Sequence, residues 1–165
     1  MISIHTLSTL DFHQELFTLS RQFFEEYQHY HPSFFTIDQL TADHICSYFS
    51  HFLNNQDAAA YIALDNSQAN SPIIGYLTVS IKDQPDYWTI KKVGEISGLM
   101  VAKQYRRKGI ARLLLRQAKV TLADRGIRYI TAYTAVANES AIFFYSANKL
   151  EPLYTTVLGS TSENN

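Results

Sequence analysis

Hydrophobic and polar positions change their period twice along the chain. Ile2, Ile4 and Leu7 predict a short first strand. Phe12, Leu16, Leu19, Phe23 and Tyr27 then recur at helical spacing, with Thr9 placed to cap the helix they predict. His31-Pro32 breaks that run. A second helix is marked by Ile37, Leu40, Ile45, Tyr48, Phe49, Phe52 and Leu53, and ends near Asn54-Asn55.

Past Asn55 the period shortens. Ala58 to Leu64 and Ile73 to Ile81 predict two strands joined by the polar loop Asp65 to Pro72. Lys82 to Lys92 is a loop with Pro85, Tyr87 and Trp88, and Val93 to Val101 is a third long strand. Helical spacing returns from Gly109 to Arg125, where Ile110, Leu113, Leu114, Ala118 and Leu122 form an apolar stripe. Gly126 stands where a left-handed stop belongs. Arg128 to Val136 predicts another strand, Asn138 caps a last helix running through Ala147, and Leu153 to Leu158 closes as a strand. The expected fold is mixed α/β: an antiparallel meander joined to a parallel crossover, with about four helices. It forms one domain over residues 1–158, followed by a frayed tail over 159–165.

Composition narrows the function classes. The 165 residues are 46% apolar and 18% charged, with a net charge of −1, which places the chain among globular proteins with no global pull to nucleic acid or an anionic membrane. No apolar run approaches the roughly 20 residues of a membrane helix, and the N-terminus does not read as a signal peptide. The single cysteine, Cys46, excludes an internal disulfide and reads as a small core residue in a helix. The expected location is the cytoplasm. His29 and His31 have no acidic or thiol partner at ligand spacing, so no metal site is expected.

One segment concentrates chemistry: Gln104-Tyr105-Arg106-Arg107-Lys108-Gly109-Ile110-Ala111, followed by Arg112. It lies between a strand and an amphipathic helix. The first N–H groups of a helix lack internal acceptors, and the helix dipole makes that end positive. Cations placed there are unfavourable unless an anion offsets them. A pyrophosphate meets that need by accepting from several N–H groups at once, and Gly109 and Ala111 let its oxygens approach the backbone. The glycine spacing fits neither a Walker loop nor the dinucleotide fingerprint.

With that segment quoted, the chain resembles the GNAT superfamily of N-acetyltransferases. Arg106-Arg107-Lys108-Gly109-Ile110-Ala111 matches the family signature Gln/Arg-x-x-Gly-x-Gly/Ala. Glu95 to Val101 resembles the family's fourth strand, and Asn138 to Tyr145 its Asn-x-x-Ala-x-x-x-Tyr helix. One departure is visible: a Gly-Phe pair frequent before the final proline is Lys149-Leu150 here. The resemblance implies a GNAT-like fold whose parallel strands splay, and acetyl-CoA as acyl donor. It also implies direct transfer to a primary amine of a small molecule or peptide, and a homodimer as a family-level expectation. Leu99, Met100 and Val101 would line the pantetheine arm, and the segment Arg106, Arg107, Lys108, Gly109, Ile110, Ala111 and Arg112 would hold the pyrophosphate. Asn138 would either contact the cofactor or only cap its helix.

For the chemistry, Glu95 lies eleven residues ahead of Arg106, an offset that carries the general base in several family members. Strand periodicity puts residues 95, 97, 99 and 101 on one face. Tyr145 stands where the family places a general acid for the leaving thiolate, Leu99 N–H is the expected oxyanion donor, and Ser97 is a weaker candidate for holding a water. Acceptor specificity is expected from two aromatic loops, with Tyr27 and Tyr30 in one and Tyr87 and Trp88 in the other, as cation–π surfaces. Phe34 and Phe35 read as core. A second reading of the same pocket is a non-catalytic acetyl-CoA-binding regulatory module.

Overall fold

The computed structural model describes residues 1–161. Five strands form one sheet in the order β1-β2-β3-β4-β5: β1 Ile2–Thr6, β2 Ala58–Asp65, β3 Ile73–Asp83, β4 Lys92–Val101 and β5 Ile130–Ala132. All neighbours are antiparallel except β4 and β5, which are parallel. That exception follows from the long crossover between them, which carries the helix α3, Ile110–Asp124. The other helices are α1 His13–Tyr27, α2 Ala42–Ser50 and α4 Glu139–Ala147.

The two faces of the sheet carry two cores. Alternate residues of β2 point to opposite sides, so Ala58, Ala60 and Ile62 join Leu16 and Leu19 of α1 and Ile45 and Phe49 of α2. Ala59, Tyr61 and Ala63 join Ile110, Leu114, Leu115, Ala118 and Leu122 of α3 on the other side. The alanine-rich β2 lets helices approach both faces closely. Truncating fully buried Phe49 to Ala would cost roughly 3–5 kcal/mol.

Several boundaries differ from the sequence expectation. α1 begins at His13 without a side-chain cap, because Thr9 Oγ1 accepts instead from Asp11 N–H (3.0 Å) in the preceding turn. α2 begins only at Ala42, where Thr41 and His44 form a reciprocal capping box, and it ends at Ser50. Leu113 is exposed, and Leu115 takes its place in the α3 stripe. Phe34 is 61% exposed rather than core. β5 has three residues instead of nine. Residues 153–158 form no strand: the segment stays exposed and irregular, since β5 is too short to offer it an edge. Residues 159–161 have no regular structure, and the expected tail over 162–165 lies outside the described residues. Gly126 does adopt the left-handed conformation at the α3 stop (φ 75°).

Candidate functional site

The segment between β4 and α3 makes a tight turn. Ala102 N–H closes the β3 ladder on Ile74 O (2.9 Å), Lys103–Tyr105 is one 3₁₀ turn, and Arg106 is extended. Arg107 (φ 62°) and Gly109 (φ 79°) are both left-handed, with Lys108 outside that region between them. Such alternation points successive amides into one concavity, an anion-binding nest. Among the described residues, no acceptor lies within hydrogen-bond reach of the six consecutive N–H groups from Arg107 to Arg112; the next one, Leu113 N–H, donates to Gly109 O (3.1 Å). A Cβ built on Gly109 meets nothing within 4 Å, so the space over the turn is open. Ile110 anchors the turn by burying its side chain under α3, and Ala111 follows it in the first turn of the helix.

Two tethers fix this turn. Tyr105 OH donates to Asp65 Oδ2 (3.0 Å), and Lys108 Nζ lies 5.0 Å from the Tyr105 ring centroid. Hydrogen bonds from Ser67 and Gln68, more than the Tyr105 hydroxyl, hold the Asp65 carboxyl well below the usual carboxylate range. The second tether is Arg106. Its guanidinium donates to both oxygens of Glu26 (2.8 and 2.9 Å) and to Val101 O (2.9 Å). The Arg106 charge is thus shared with α1, and Arg107, Lys108 and Arg112 are exposed cations at the turn that form no ion pair among the described residues. Sequence reasoning missed Asp65 and Glu26, because their partners lie 40 and 80 residues away.

The sheet opens beside the turn. The parallel ladder comprises only Gly94↔Ile130, Glu95↔Thr131 and Ile96↔Ala132. The next residue, Ser97, is an extra residue against β3, where Val79 pairs with Ile96 and Thr78 already pairs with Gly98. A bulge increases local twist, and this one sits where β4 leaves β5. Tyr48 of α2 pins it. Its hydroxyl lies 2.7 Å from Thr78 Oγ1 and 3.0 Å from Ser97 Oγ, and these two oxygens are 3.0 Å apart. Gly98 leaves room for this ring of hydroxyls, because a Cβ there would lie 3.0 Å from Thr78 Oγ1.

The bulge corrects the expected face of Glu95. Counting by twos places 95, 97, 99 and 101 together. In the structure Glu95 pairs with Ser80, whereas Leu99 and Val101 pair with Leu77 and Gly75, on the opposite face. Glu95 shares its side with Gly98 and Met100, the side covered by α1 and α2. The backbone pattern shifts too. Gly94 N–H donates toward β5, to Tyr129 O (2.9 Å), while Ala102 N–H donates toward β3. Alternation from Ala102 leaves the N–H groups of Leu99 and Val101 on the open edge, beyond the end of β5. Lys92 pairs with Asp83 (3.6 Å), and no ion pair or hydrogen bond engages the Glu95 carboxylate among the described residues.

Tyr145 packs from α4 against the α3-side core. Burial, with a smaller contribution from Tyr27, pushes its phenol up to about 12. Tyr27 itself accepts from Ala135 N–H (3.1 Å) and stacks with Phe23, so it joins an aromatic cluster with Tyr30 and Phe35. Tyr87 (81% exposed) and Trp88 (58%) pair only with each other among the described rings. The structure brings Tyr27 toward Tyr145 and leaves the other loop outside. Asn138 caps α4 by accepting from Ala141 N–H (3.1 Å). Lys149 is left-handed (φ 65°), which explains the glycine expected there. No group of three or more metal-ligating side chains occurs among the described residues, and no helix there is long and apolar enough to cross a membrane.

A family model described as "Acetyltransferase (GNAT) family" matches residues 15–148. The chain belongs to the GNAT acetyltransferase family. Solved structures share the fold at low identity. The BH1408 protein from Bacillus halodurans, as a tetramutant, superposes with a TM-score of 0.82 at 19% identity, covering 96% of this chain and 99% of that one. Aminoglycoside N-acetyltransferase AAC(6')-Iy in complex with CoA gives 0.75 at 17% identity, covering 98% and 95%. Aminoglycoside 6'-N-acetyltransferase AAC(6')-IG from Acinetobacter haemolyticus gives 0.73 at 16% identity, covering 98% and 99%.

Proposed function

We propose that this GNAT protein is an N-acetyltransferase that moves an acetyl group from acetyl-CoA directly to a primary amine of a small molecule or peptide. The observation that carries the reading is the run of six unpartnered N–H groups, Arg107 to Arg112, at the positive end of α3. The turn is open to solvent, so water meets these donors in the free protein and an anion can take its place. A diphosphate accepts from several together, while Arg107, Lys108 and Arg112 offset its charge. The CoA complex of the AAC(6')-Iy neighbour adds support from the shared fold.

The open edge of β4 supplies the rest. Val101 N–H and its neighbouring main-chain groups hold the pantetheine arm as a strand would be held, while Leu99 N–H faces the oxygen that gathers negative charge during attack. The thioester supplies an activated acyl carbon. Glu95, on the opposite face, takes the proton of the incoming ammonium directly or through a water, so that a neutral amine attacks, and the second proton leaves the nitrogen to solvent water as the amide forms and the thiolate departs. Tyr145 keeps its proton at neutral pH and offers it to the departing sulfur. A phenol near 12 is a weaker acid than an ordinary thiol of about 8.5, so its first role is a hydrogen bond that stabilises the thiolate. The cytoplasm remains the proposed location, with no nucleic acid and no membrane partner, and with a single domain over 1–158.

The experiment is thiol release from acetyl-CoA with a panel of primary amines and lysine peptides. Amine-dependent release is expected. Tight acetyl-CoA binding with no release by any amine contradicts transfer and leaves a binding module.

A further inference from the structure

Two exposed tyrosines meet just past the end of β5, and neither belongs to the motifs above. Tyr133 follows the last residue of β5. Thr131 pairs with Glu95, and Tyr133 lies two residues further along the chain, toward the end where β4 and β5 part. Tyr154 reaches the same place from the irregular C-terminal segment. Its hydroxyl donates to Tyr133 OH (2.8 Å), and the ring centroids lie 6.1 Å apart at 60°. Both rings are about 60% exposed (60% and 61%). Glu95 pairs with Thr131, two residues before Tyr133, and its carboxylate has no ion pair or hydrogen bond among the described residues.

The hydrogen bond to Tyr133 is the main reason the Tyr154 phenol is pushed up to about 12; burial, Tyr133 and the Glu95 charge add to it. A ring pair splayed at this angle offers cation–π attraction within about 6 Å of each centroid, and the carboxylate supplies the opposite charge.

We propose that Tyr133 and Tyr154, with Glu95, form the recognition site for the ammonium group of a primary alkylamine acceptor. This deepens the N-acetyltransferase reading and rests on it. The ammonium is held between the rings as a cation, with the Glu95 carboxylate as its counter-charge. Recognition itself moves no proton. Specificity on this account is for a charged amine carried on an apolar stem, not for a neutral hydroxyl compound. The C-terminal segment contributes to the acceptor site although it forms no strand.

The test uses the full chain, with n-butylamine as probe and 1-butanol as the neutral control. Tyrosine-ring resonances, assigned with Tyr133→Phe and Tyr154→Phe, are followed during titration. The proposal expects both rings to shift with n-butylamine and not with the alcohol. Steady-state rates give a second readout. Each Tyr→Leu change should raise the amine KM about 2- to 5-fold, and the double change about 5- to 25-fold. The acetyl-CoA KM should stay put, and the Phe variants should keep the amine KM near that of the parent. Unmoved ring resonances, equal shifts with 1-butanol, or an unchanged amine KM in the double Leu variant overturns it. If the parent protein turns over no amine, the transfer reading falls, and the ring titration alone decides whether the site binds ammonium.

Discussion

Glu95 and Leu99 stand four residues apart on β4 and present their side chains to opposite faces of the sheet, because Ser97 is an extra, unpaired residue between them. The same bulge lies where β4 parts from β5. One irregularity therefore accompanies two features of the site: an open edge of N–H groups at Leu99 and Val101, and a carboxylate on the other side of the strand. The ring of hydroxyls from Tyr48, Thr78 and Ser97 holds it in place.

Glu95→Gln keeps the shape of the side chain and removes the base. Turnover should fall about 10²- to 10⁴-fold, with acetyl-CoA affinity unchanged, because the carboxylate lies away from the turn. Stopped-flow thiol release and calorimetry on one preparation check both halves. Full turnover in the Gln variant would remove Glu95 from the proton path.

Tyr145→Phe should lower turnover strongly and leave acetyl-CoA affinity as it was. A pH signature accompanies it. The folded-state value of about 12 lies above the usual phenol value of 10. The corresponding stability is fully present below pH 10 and is lost as pH rises toward 12. It amounts to roughly 2–3 kcal/mol. Urea unfolding from pH 9 to 12 should show this decline, with a shallower slope in the Phe variant. Burial of Tyr76 raises its phenol as well, so part of the decline persists.

Gly109→Val should weaken coenzyme A binding more than it destabilises the fold. A left-handed β-branched residue costs about 1–2 kcal/mol, while its side chain projects into the space open to the diphosphate. Calorimetry and denaturation are compared on the same variant, and equal losses would make Gly109 a purely structural residue.

Lys149→Gly should stabilise the protein modestly. Lys149 holds φ 65° at the end of α4, with its N–H on Ser146 O (3.0 Å). Relief of the left-handed strain is worth about 1 kcal/mol, partly offset by the greater unfolded-state entropy of glycine. Thermal denaturation reads the difference, and a lower midpoint would show that the Lys149 side chain contributes more than its backbone costs.

Much of this architecture is legible in the sequence because its signals are local. The α3 stripe, the Asn138 cap, the Gly126 stop and the turn at Arg106 to Arg112 each depend on neighbours within a few residues. Two classes of feature are not. The bulge at Ser97 changes the count of faces, and the pair Ser97-Gly98, which interrupts the alternation, does not by itself fix where the extra residue falls. Long-range tethers, Glu26 to Arg106 and Asp65 to Tyr105, join segments that no periodicity relates. The missing last strand has another cause. Leu153 to Leu158 carries strand-forming residues, yet a strand needs an edge to pair with, and β5 ends at Ala132.

The central claim is that unpartnered amides at the head of α3 grip a diphosphate. The direct measurement is an amide-resolved NMR titration of the full chain with coenzyme A, repeated with pantetheine, which has no diphosphate. The account predicts large, saturable shifts at residues 107–112 with coenzyme A and none there with pantetheine. Saturation by coenzyme A with those six amides unmoved would contradict it.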